Sequence, residues 1–300
     1  MKSENYFLNL PFWCIIDIRY GGIMMTIAIV GLGLMGGSFA KAFKKQGFTI
    51  YGYDSNIDAI RYGFEHQIID SGSTFASDVL PSCPFVFLCL NPSDSITFMK
   101  KNKDLFKEYA IITDISGIKR HLVDEITPHL RSDIDFIFGH PIAGRESSGI
   151  AASDDSIFQG ANYILCPTPT NRPEHLLMLE NLLTSIGFRQ VTHVSADEHD
   201  NIIAFTSQLT HIIALAIVNA NPKGVDLSKF IGDSYRDLTR IAVINQPLWT
   251  ELFLGNKEHL LTQIEHVQSY LKEYYQAIKN NDEATLHQLM SDATTSRKKI

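Results

Sequence analysis

Short apolar runs alternate with stretches of helical periodicity over the first two thirds of the chain. Six runs have the length and composition of buried strands: 26–30, 48–53, 85–90, 110–113, 134–138 and 163–166. Between them, apolar residues recur every three to four positions, as on the inner face of a helix. Buried strands that alternate with helices are typical of a doubly wound, mostly parallel α/β sheet. This is the predicted fold class for the first part of the chain.

The pattern changes after about residue 192. No further strand is predicted, glycines become few, and apolar positions follow helical spacing through 202–218, 248–254 and 260–278. Several of these helices are more apolar than a small solvated domain requires, which indicates burial against a second subunit. The predicted organisation is an α/β domain over 25–191 and an all-helical substrate and dimerisation domain over 192–300.

Residues 1–24 fit neither domain. Asp17 and Arg19 interrupt this apolar segment, and its uninterrupted part is shorter than the ~20 residues of a membrane span. No cleavage site of the secretory type follows. We interpret 1–24 as an irregular tail, or as an extension upstream of a natural start at Met24 or Met25. A cytoplasmic protein without a membrane segment is expected.

Composition and charge exclude several classes of function. The chain has 300 residues, 45% of them hydrophobic and 20% charged, which is enough for two cores. Its net charge of −7 argues against nucleic acid or an anionic membrane as a partner. The four cysteines have neither disulfide nor metal-site spacing, so no metal is expected, and Cys89 and Cys166 are predicted to be buried free thiols.

A glycine-rich turn follows the first predicted strand. Gly31, Gly33 and Gly36 have the G-x-G-x-x-G spacing, with a helix after them and then a second strand that ends at Asp54. In this context the motif predicts a dinucleotide site of the Rossmann type, formed by the residues Gly31, Gly33, Leu34, Met35, Gly36 and Asp54. The Asp54 carboxylate would accept hydrogen bonds from the ribose and repel a 2′-phosphate, so NAD is favoured over NADP. The alternative is a glycine turn in a sheet that binds nothing.

Three further stretches carry groups capable of chemistry. FGHPIAGRESSG (138–149) follows a strand, at the sheet edge where loops lie over the cofactor. EHDNIIAFTSQLTHIIALA (198–216) and DSYRDLTRIA (233–242) lie in the helical half. Taken singly, His211 could be a partly buried structural histidine, and the Arg and Asp residues of 233–242 an ordinary surface ion-pair ladder.

Taken in order, the motifs closely resemble the prephenate dehydrogenase family, which includes arogenate dehydrogenases. The shared motifs are GLGLMGGS, Asp54, D-x-x-x-x-K, G-H-P-I-A-G-x-E-x-S-G, H-D-x-I-x-A-x-x-S-x-L-x-H and R-D-x-T-R-I-A. They span Met25 to about Asn256. The resemblance implies a Rossmann-type domain followed by an all-helical domain that forms a homodimer. It also implies NAD-dependent oxidative decarboxylation of prephenate to 4-hydroxyphenylpyruvate, a step of tyrosine biosynthesis.

The resemblance also implies roles for individual residues. His140 matches the catalytic histidine that takes the proton of the substrate hydroxyl, and Ser116 lies in the loop whose serine bonds that histidine. Arg240 matches the arginine that binds a substrate carboxylate. The other matched positions are an acidic neighbour of that arginine, a glutamate at the mouth of the site and two polar residues of the pocket helix: Asp237, Glu146, Ser207 and His211.

Departures from the family pattern leave alternatives open. This chain has Ser116 then Gly117 where many members have the reverse order, and Arg145 stands where a smaller residue is frequent. Arogenate is an alternative substrate. The β-hydroxyacid dehydrogenases are an alternative enzyme class, but they lack G-H-P-I-A-G and use a lysine on a helix of the second domain. A nonenzymatic NAD-binding sensor is the third alternative.

Overall fold

The computed structural model describes residues 25–145 and 147–299. Contacts divide the chain into two units. The first contains residues up to Asp200 together with Val243–Leu252, and the second contains Asn201–Ala242 and the residues from Phe253 onward. The sequence predicts a single boundary near residue 192, whereas the segment Val243–Leu252 returns to the first unit. Residues 1–24, for which a tail or extension is predicted, lie outside the described part of the chain.

Eight strands form one sheet in the first unit, in the order β3-β2-β1-β4-β5-β6-β7-β8. The strands are β1 (Thr26–Val30), β2 (Thr49–Tyr53), β3 (Ser71–Ser73), β4 (Phe85–Leu88), β5 (Ile111–Asp114), β6 (Asp135–Ile142), β7 (Asn162–Cys166) and β8 (Gln190–His193). All neighbours pair in parallel except β6 and β7. The sheet confirms the predicted doubly wound class, since its first six strands have the 3-2-1-4-5-6 order of dinucleotide-binding folds.

Helices cover both faces of this sheet. They are α1 (Leu34–Lys45), α2 (Ile57–Glu65), α3 (Pro92–Asn102), α4 (Arg120–Ile126) and α5 (Pro173–Ser185). Strand β1 shows how the two cores form: Ile27 and Ile29 pack with Phe39 of α1, whereas Ala28 and Val30 belong to the opposite layer. Successive side chains of a strand point to opposite faces, so a strand buried on both sides is apolar throughout.

Strand β6 is longer than predicted and changes the place of His140. The sequence predicts a strand that ends at Phe138 and a loop over GHPIAGRE. In the structure the strand continues to Ile142, because residues from Phe138 onward pair antiparallel with β7, with His140 opposite Ile164. Pairing with β5 stops at Ile137. The imidazole of His140 is therefore carried by a strand, at a fork where β5 and β6 separate.

Helices also form the rest of the chain. They are α6 (Ala196–Ile203), α7 (Leu209–Asn219), α8 (Asp233–Thr239), α9 (Gln246–Gly255), α10 (Lys257–Lys279) and α11 (Glu283–Arg297). A π-helical turn, Ala204–Gln208, joins α6 to α7. By length and composition this continuous helix, Ala196–Asn219, could cross a membrane. Its first two turns, however, carry His199 and Asp200, polar side chains buried within the first unit.

Candidate active site

The glycine turn after β1 has the geometry that a dinucleotide requires. Gly31 has φ +92°, and a Cβ there would lie 2.5 Å from the carbonyl oxygen of Cys89. A Cβ on Gly36 would collide with the carbonyl oxygen of Gly31, whereas a Cβ on Gly33 would meet nothing within 4 Å. Gly31 and Gly36 thus permit the tight turn, and Gly33 leaves open space where a phosphate can approach the backbone.

Asp54 lies beside this turn. Its Oδ2 accepts a hydrogen bond from the backbone N–H of Leu32 at 2.7 Å, and its Oδ1 accepts one from Asn56 N–H at 2.8 Å. No side chain caps the amino end of α1, which begins with Leu34 and Met35. The N–H groups of the helix end suit a phosphate and the carboxylate of Asp54 suits ribose hydroxyls, so the chemistry of these residues fits a dinucleotide.

The fork between β5 and β6 is filled by the carboxylate of Asp114. This side chain is fully buried at the end of β5. Its Oδ1 accepts a hydrogen bond from Gly139 N–H at 3.0 Å, and its Oδ2 accepts from Ser116 N–H at 2.8 Å and from Lys119 Nζ at 2.6 Å. Lys119 is fully buried as well. The ion pair compensates both charges in the interior and ties the loop after β5 to the strand that carries His140.

His140 is the first of three side chains in line. Its Nδ1 lies 2.9 Å from Nε2 of His199, and Nδ1 of His199 lies 2.8 Å from Oδ1 of Asp200. The two oxygens of Asp200 also accept hydrogen bonds from the backbone N–H groups of Lys119 and Arg120, at 2.8 and 2.9 Å. Asp200 therefore holds the amino end of α4 and the ring of His199 at once.

Burial determines the charge of the two imidazoles. It holds the pKa of His140 well below its ordinary value, and His199 and the Lys119 ammonium lower this pKa further. Burial also lowers the pKa of His199, although the hydrogen bond to Asp200 opposes this shift. Both rings are therefore neutral near pH 7, and a neutral imidazole can accept a proton.

Ser116 lies in the same loop, with its hydroxyl buried and without a hydrogen-bond partner among the described residues. It does not bond His140. The next residue, Gly117, lies near the imidazole: a Cβ on Gly117 would lie 3.7 Å from Nε2 of His140. A buried hydroxyl without a partner is costly, so a ligand that bonds it would gain affinity.

Four more of the predicted site residues belong to the second unit. Ser207 is half-buried in the π-helical turn, and Nδ1 of His211 donates to its carbonyl oxygen across 2.9 Å. Single π-helical turns often occur at functional sites. Asp237 on α8 and Arg240 in the 3₁₀ turn after it are both exposed. Glu146 lies outside the described residues.

Four polar residues around His140 have no predicted role: Asp114, Lys119, His199 and Asp200. The sequence contains a signal for them, because the D-x-x-x-x-K spacing and the H-D pair both belong to the motifs shared with the family.

Across the described ranges, no group of three or more His, Cys, Asp or Glu side chains is arranged to hold a metal ion.

Comparisons with known proteins agree with the motifs. The family described as prephenate dehydrogenase, nucleotide-binding domain, matches residues 39–192, and its dimerization domain matches residues 195–292. A prephenate dehydrogenase from Bacillus subtilis is 29% identical over 262 residues, which cover 83% of this chain and 70% of that protein.

Solved structures are also similar. The prephenate dehydrogenase of A. aeolicus, in complex with hydroxyphenyl propionate and NAD⁺, has a TM-score of 0.85 and 32% identity over 92% of this chain and 98% of that one. The arogenate dehydrogenase of Synechocystis has a TM-score of 0.80 and 26% identity, covering 92% of this chain and 99% of its own.

Proposed function

Because the chain belongs to the prephenate dehydrogenase family, we propose that it is an NAD-dependent dehydrogenase that converts prephenate to 4-hydroxyphenylpyruvate and CO₂. The observation that carries the proposal is the neutral, half-buried imidazole of His140, held at the end of β6 by a buried histidine. The proposed role of the reaction is in tyrosine biosynthesis, and the proposed location is the cytoplasm.

In this proposal His140 is the general base. The substrate carbon that bears the hydroxyl loses a hydride and the hydroxyl proton moves to the imidazole, so the C–O bond becomes a carbonyl. The ring carboxylate then leaves as CO₂, its bonding electrons enter the ring, and the carbonyl oxygen becomes a phenolate that takes up a proton to give the phenol. The ring becomes aromatic, which drives the reaction. A positioned base contributes ~10²–10⁴ in rate to such a step. Ser116, with its unpaired hydroxyl, is proposed to bond the substrate oxygen.

The turn after β1 is proposed to hold the cofactor. Gly31, Gly33 and Gly36 let the pyrophosphate approach the backbone, the first residues Leu34 and Met35 of α1 offer N–H groups, and Asp54 takes the ribose hydroxyls. When bound, NAD supplies the acceptor for the hydride. The similar A. aeolicus enzyme was solved with NAD⁺, which supports this assignment.

The other proposed substrate-binding residues rest on the family resemblance. Arg240 is proposed to bind a carboxylate in bidentate geometry, with Asp237 beside it. Ser207 and His211 are proposed for the wall of the pocket, and Glu146 for its mouth. The match to a dimerization domain supports a homodimer through the domain proposed for 192–300, next to the dinucleotide domain at 25–191.

One assay tests the proposal and its alternatives. The purified protein is mixed with NAD and either prephenate or arogenate, and NADH is followed by its absorbance. We expect turnover with prephenate, and faster turnover with arogenate would reassign the substrate. Binding of NAD without turnover of either compound would favour the sensor, and turnover of a β-hydroxyacid alone would contradict the proposal.

A further inference from the structure

The two residues behind His140 are more deeply buried than the base itself. The side chains of His199 and Asp200 are 0% and 1% exposed, whereas His140 is half-buried. His199 lies 59 residues from His140 in the chain and contacts it ring to ring, with centroids 5.1 Å apart. Polar groups placed so far from solvent need fixed partners, and here the partners form one continuous line.

Only one arrangement of protons satisfies this line of hydrogen bonds. Asp200 already accepts two backbone N–H groups, and as a carboxylate it can only accept, so Nδ1 of His199 carries a hydrogen and donates it. The neutral ring of His199 then has a lone pair on Nε2. Nδ1 of His140 must therefore carry a hydrogen and donate it to His199. Nε2 of His140 therefore carries no hydrogen and has a free lone pair.

The opposite tautomer of His140 would break the line. With its hydrogen on Nε2, the ring of His140 would point the lone pair of Nδ1 at the lone pair of His199 Nε2, across 2.9 Å. His199 cannot adapt, because reversing its own tautomer would place a lone pair against the carboxylate of Asp200. Buried polar groups without a partner are costly, which favours the first arrangement strongly.

We infer that His199 and Asp200 are positioning residues that fix the tautomer and orientation of His140, so that its free Nε2 is the atom that receives the substrate proton. The inference deepens the proposed function and rests on it for the identity of that proton. Nε2 is the nitrogen beside Gly117, in the loop that carries the unpaired hydroxyl of Ser116. Nε2 of His140 and the hydroxyl of Ser116 thus lie in the same region of the first unit.

The same hydrogen bonds can move positive charge from His140 to His199 after His140 has received the substrate proton. His140 gains a hydrogen on Nε2 and can pass the one on Nδ1 to Nε2 of His199, which leaves His140 neutral and places an imidazolium against the Asp200 carboxylate. No hydrogen is gained or lost in this transfer. The charged groups that act on the two rings are Asp200, the Lys119 ammonium and the Asp114 carboxylate. Lys119 opposes the imidazolium, and the carboxylates favour it.

The first test reads the tautomer without catalysis. Protein labelled with ¹⁵N-histidine is examined by NMR above pH 7, where a nitrogen that carries hydrogen and a bare nitrogen have well-separated chemical shifts. The signal of His140 is identified by its loss in His140→Asn. We expect a protonated Nδ1 and a bare Nε2. A wild-type His140 with its hydrogen on Nε2 would overturn the inference.

The second test uses matched variants of His199. His199→Gln places a carbonyl oxygen near the position of Nε2 and keeps an acceptor for His140, whereas His199→Phe keeps a ring and removes the acceptor. We expect His199→Phe to lower kcat by ~10- to 100-fold and His199→Gln by less than ~10-fold, the range found for outer-shell partners that orient a histidine. His193→Gln, which changes a half-exposed histidine paired with Glu180, is the control and should leave kcat unchanged.

A structural role alone would give a different result. It would lower thermal stability in both His199 variants and leave the NMR tautomer and the acid limb of the pH profile of the surviving enzyme as in the wild type. That outcome, or a wild-type kcat in His199→Phe, would contradict the inference. If the wild-type protein turns over neither prephenate nor arogenate, the proposed function fails, while the NMR measurement still decides whether His199 and Asp200 set the tautomer of His140.

Discussion

The polar residues around His140 and those around Arg240 are held by different means. In the first unit Asp114, Lys119 and His199 are fully buried, and backbone N–H groups hold the carboxylates of Asp114 and Asp200. In the second unit Arg240 is exposed in a short turn after α8. One region is a closed hydrogen-bonded network, and the other presents charge at the surface of its unit.

This difference indicates what each region can contribute. In a buried network every donor must meet an acceptor, so one proton arrangement is selected before the substrate arrives. An exposed guanidinium acts mainly through its charge and its fork of donors. We therefore expect changes at His140 to affect kcat, changes in the buried ion pair beside it to affect stability, and changes at Arg240 to affect the KM of the substrate.

The largest effect on turnover is expected from His140→Asn. Asparagine keeps some hydrogen bonding but cannot take the proton, so kcat should fall by ~10²- to 10⁴-fold. NAD affinity and thermal unfolding should stay near those of the wild type, and His121→Asn, on the exposed surface of α4, should have full activity. If His140→Asn retains the wild-type kcat, the base is another residue, with His211 the next candidate.

The largest effect on stability is expected from Lys119→Met. This change leaves the Asp114 carboxylate buried without its cation, and breaking a buried ion pair in this way costs ~3–5 kcal/mol. Urea unfolding followed by circular dichroism measures the loss. Lys100→Met removes the exposed ion pair with Glu125 and should change stability little. The double variant Lys119→Met, Asp114→Asn should recover part of the loss, and equal losses in the two lysine variants would contradict this account.

Arg240→Gln tests the exposed region. If Arg240 binds a substrate carboxylate, losing a charge-assisted contact worth ~2–4 kcal/mol should raise the KM for prephenate roughly 30- to 1000-fold, with little change in the KM for NAD. Arg236→Gln, one turn earlier and paired with Asp233 at 3.1 Å, is the matched control. An unchanged KM for prephenate would indicate that Arg240 is an ordinary surface residue.

The pH profile of kcat/KM tests whether the pKa of the buried base His140 is lower than that of a solvated histidine. His140 must be neutral to accept a proton, and burial, His199 and Lys119 lower its pKa. A lowered pKa keeps the base neutral in more acidic solution. Hence kcat/KM should hold its plateau to pH values below 6.5 and then fall about tenfold per pH unit. A midpoint at or above 6.5 in initial rates at low prephenate would show that burial does not control this residue.

The smallest change is expected in cofactor choice. Asp54→Ser removes the charge that would repel a 2′-phosphate. The ratio of kcat/KM with NAD to kcat/KM with NADP should therefore fall by roughly tenfold or more. Because Asp54 also accepts the N–H of Leu32, Asp54→Asn is a useful second variant that keeps an acceptor for the turn. Asp58→Ser, on the exposed start of α2, is the control. Faster wild-type turnover with NADP than with NAD at equal low concentration would refute the assignment.

Much of the first unit could be predicted because its signals are local. Strand β1, the turn at Gly31 and the first turn of α1 follow one another within a dozen residues, and each depends on conformations that nearby residues prefer. The two short edge strands β3 and β8 were missed for the converse reason. Ser71–Ser73 has no apolar pattern, and it is a strand because it pairs with β2.

By itself, the sequence determined the glycine turn with Asp54, the alternation of buried strands and helices, the helical second half and the motifs that mark the family. These features depend on residue spacing and on local backbone preferences. The tertiary structure alone decided that β6 continues past His140, that Asp114 fills the fork beside it, and that His199 and Asp200 stand behind its ring. Those contacts join residues 25 to 81 positions apart. Their existence depends on strand register and on the need to pair every buried polar group, which no local pattern encodes.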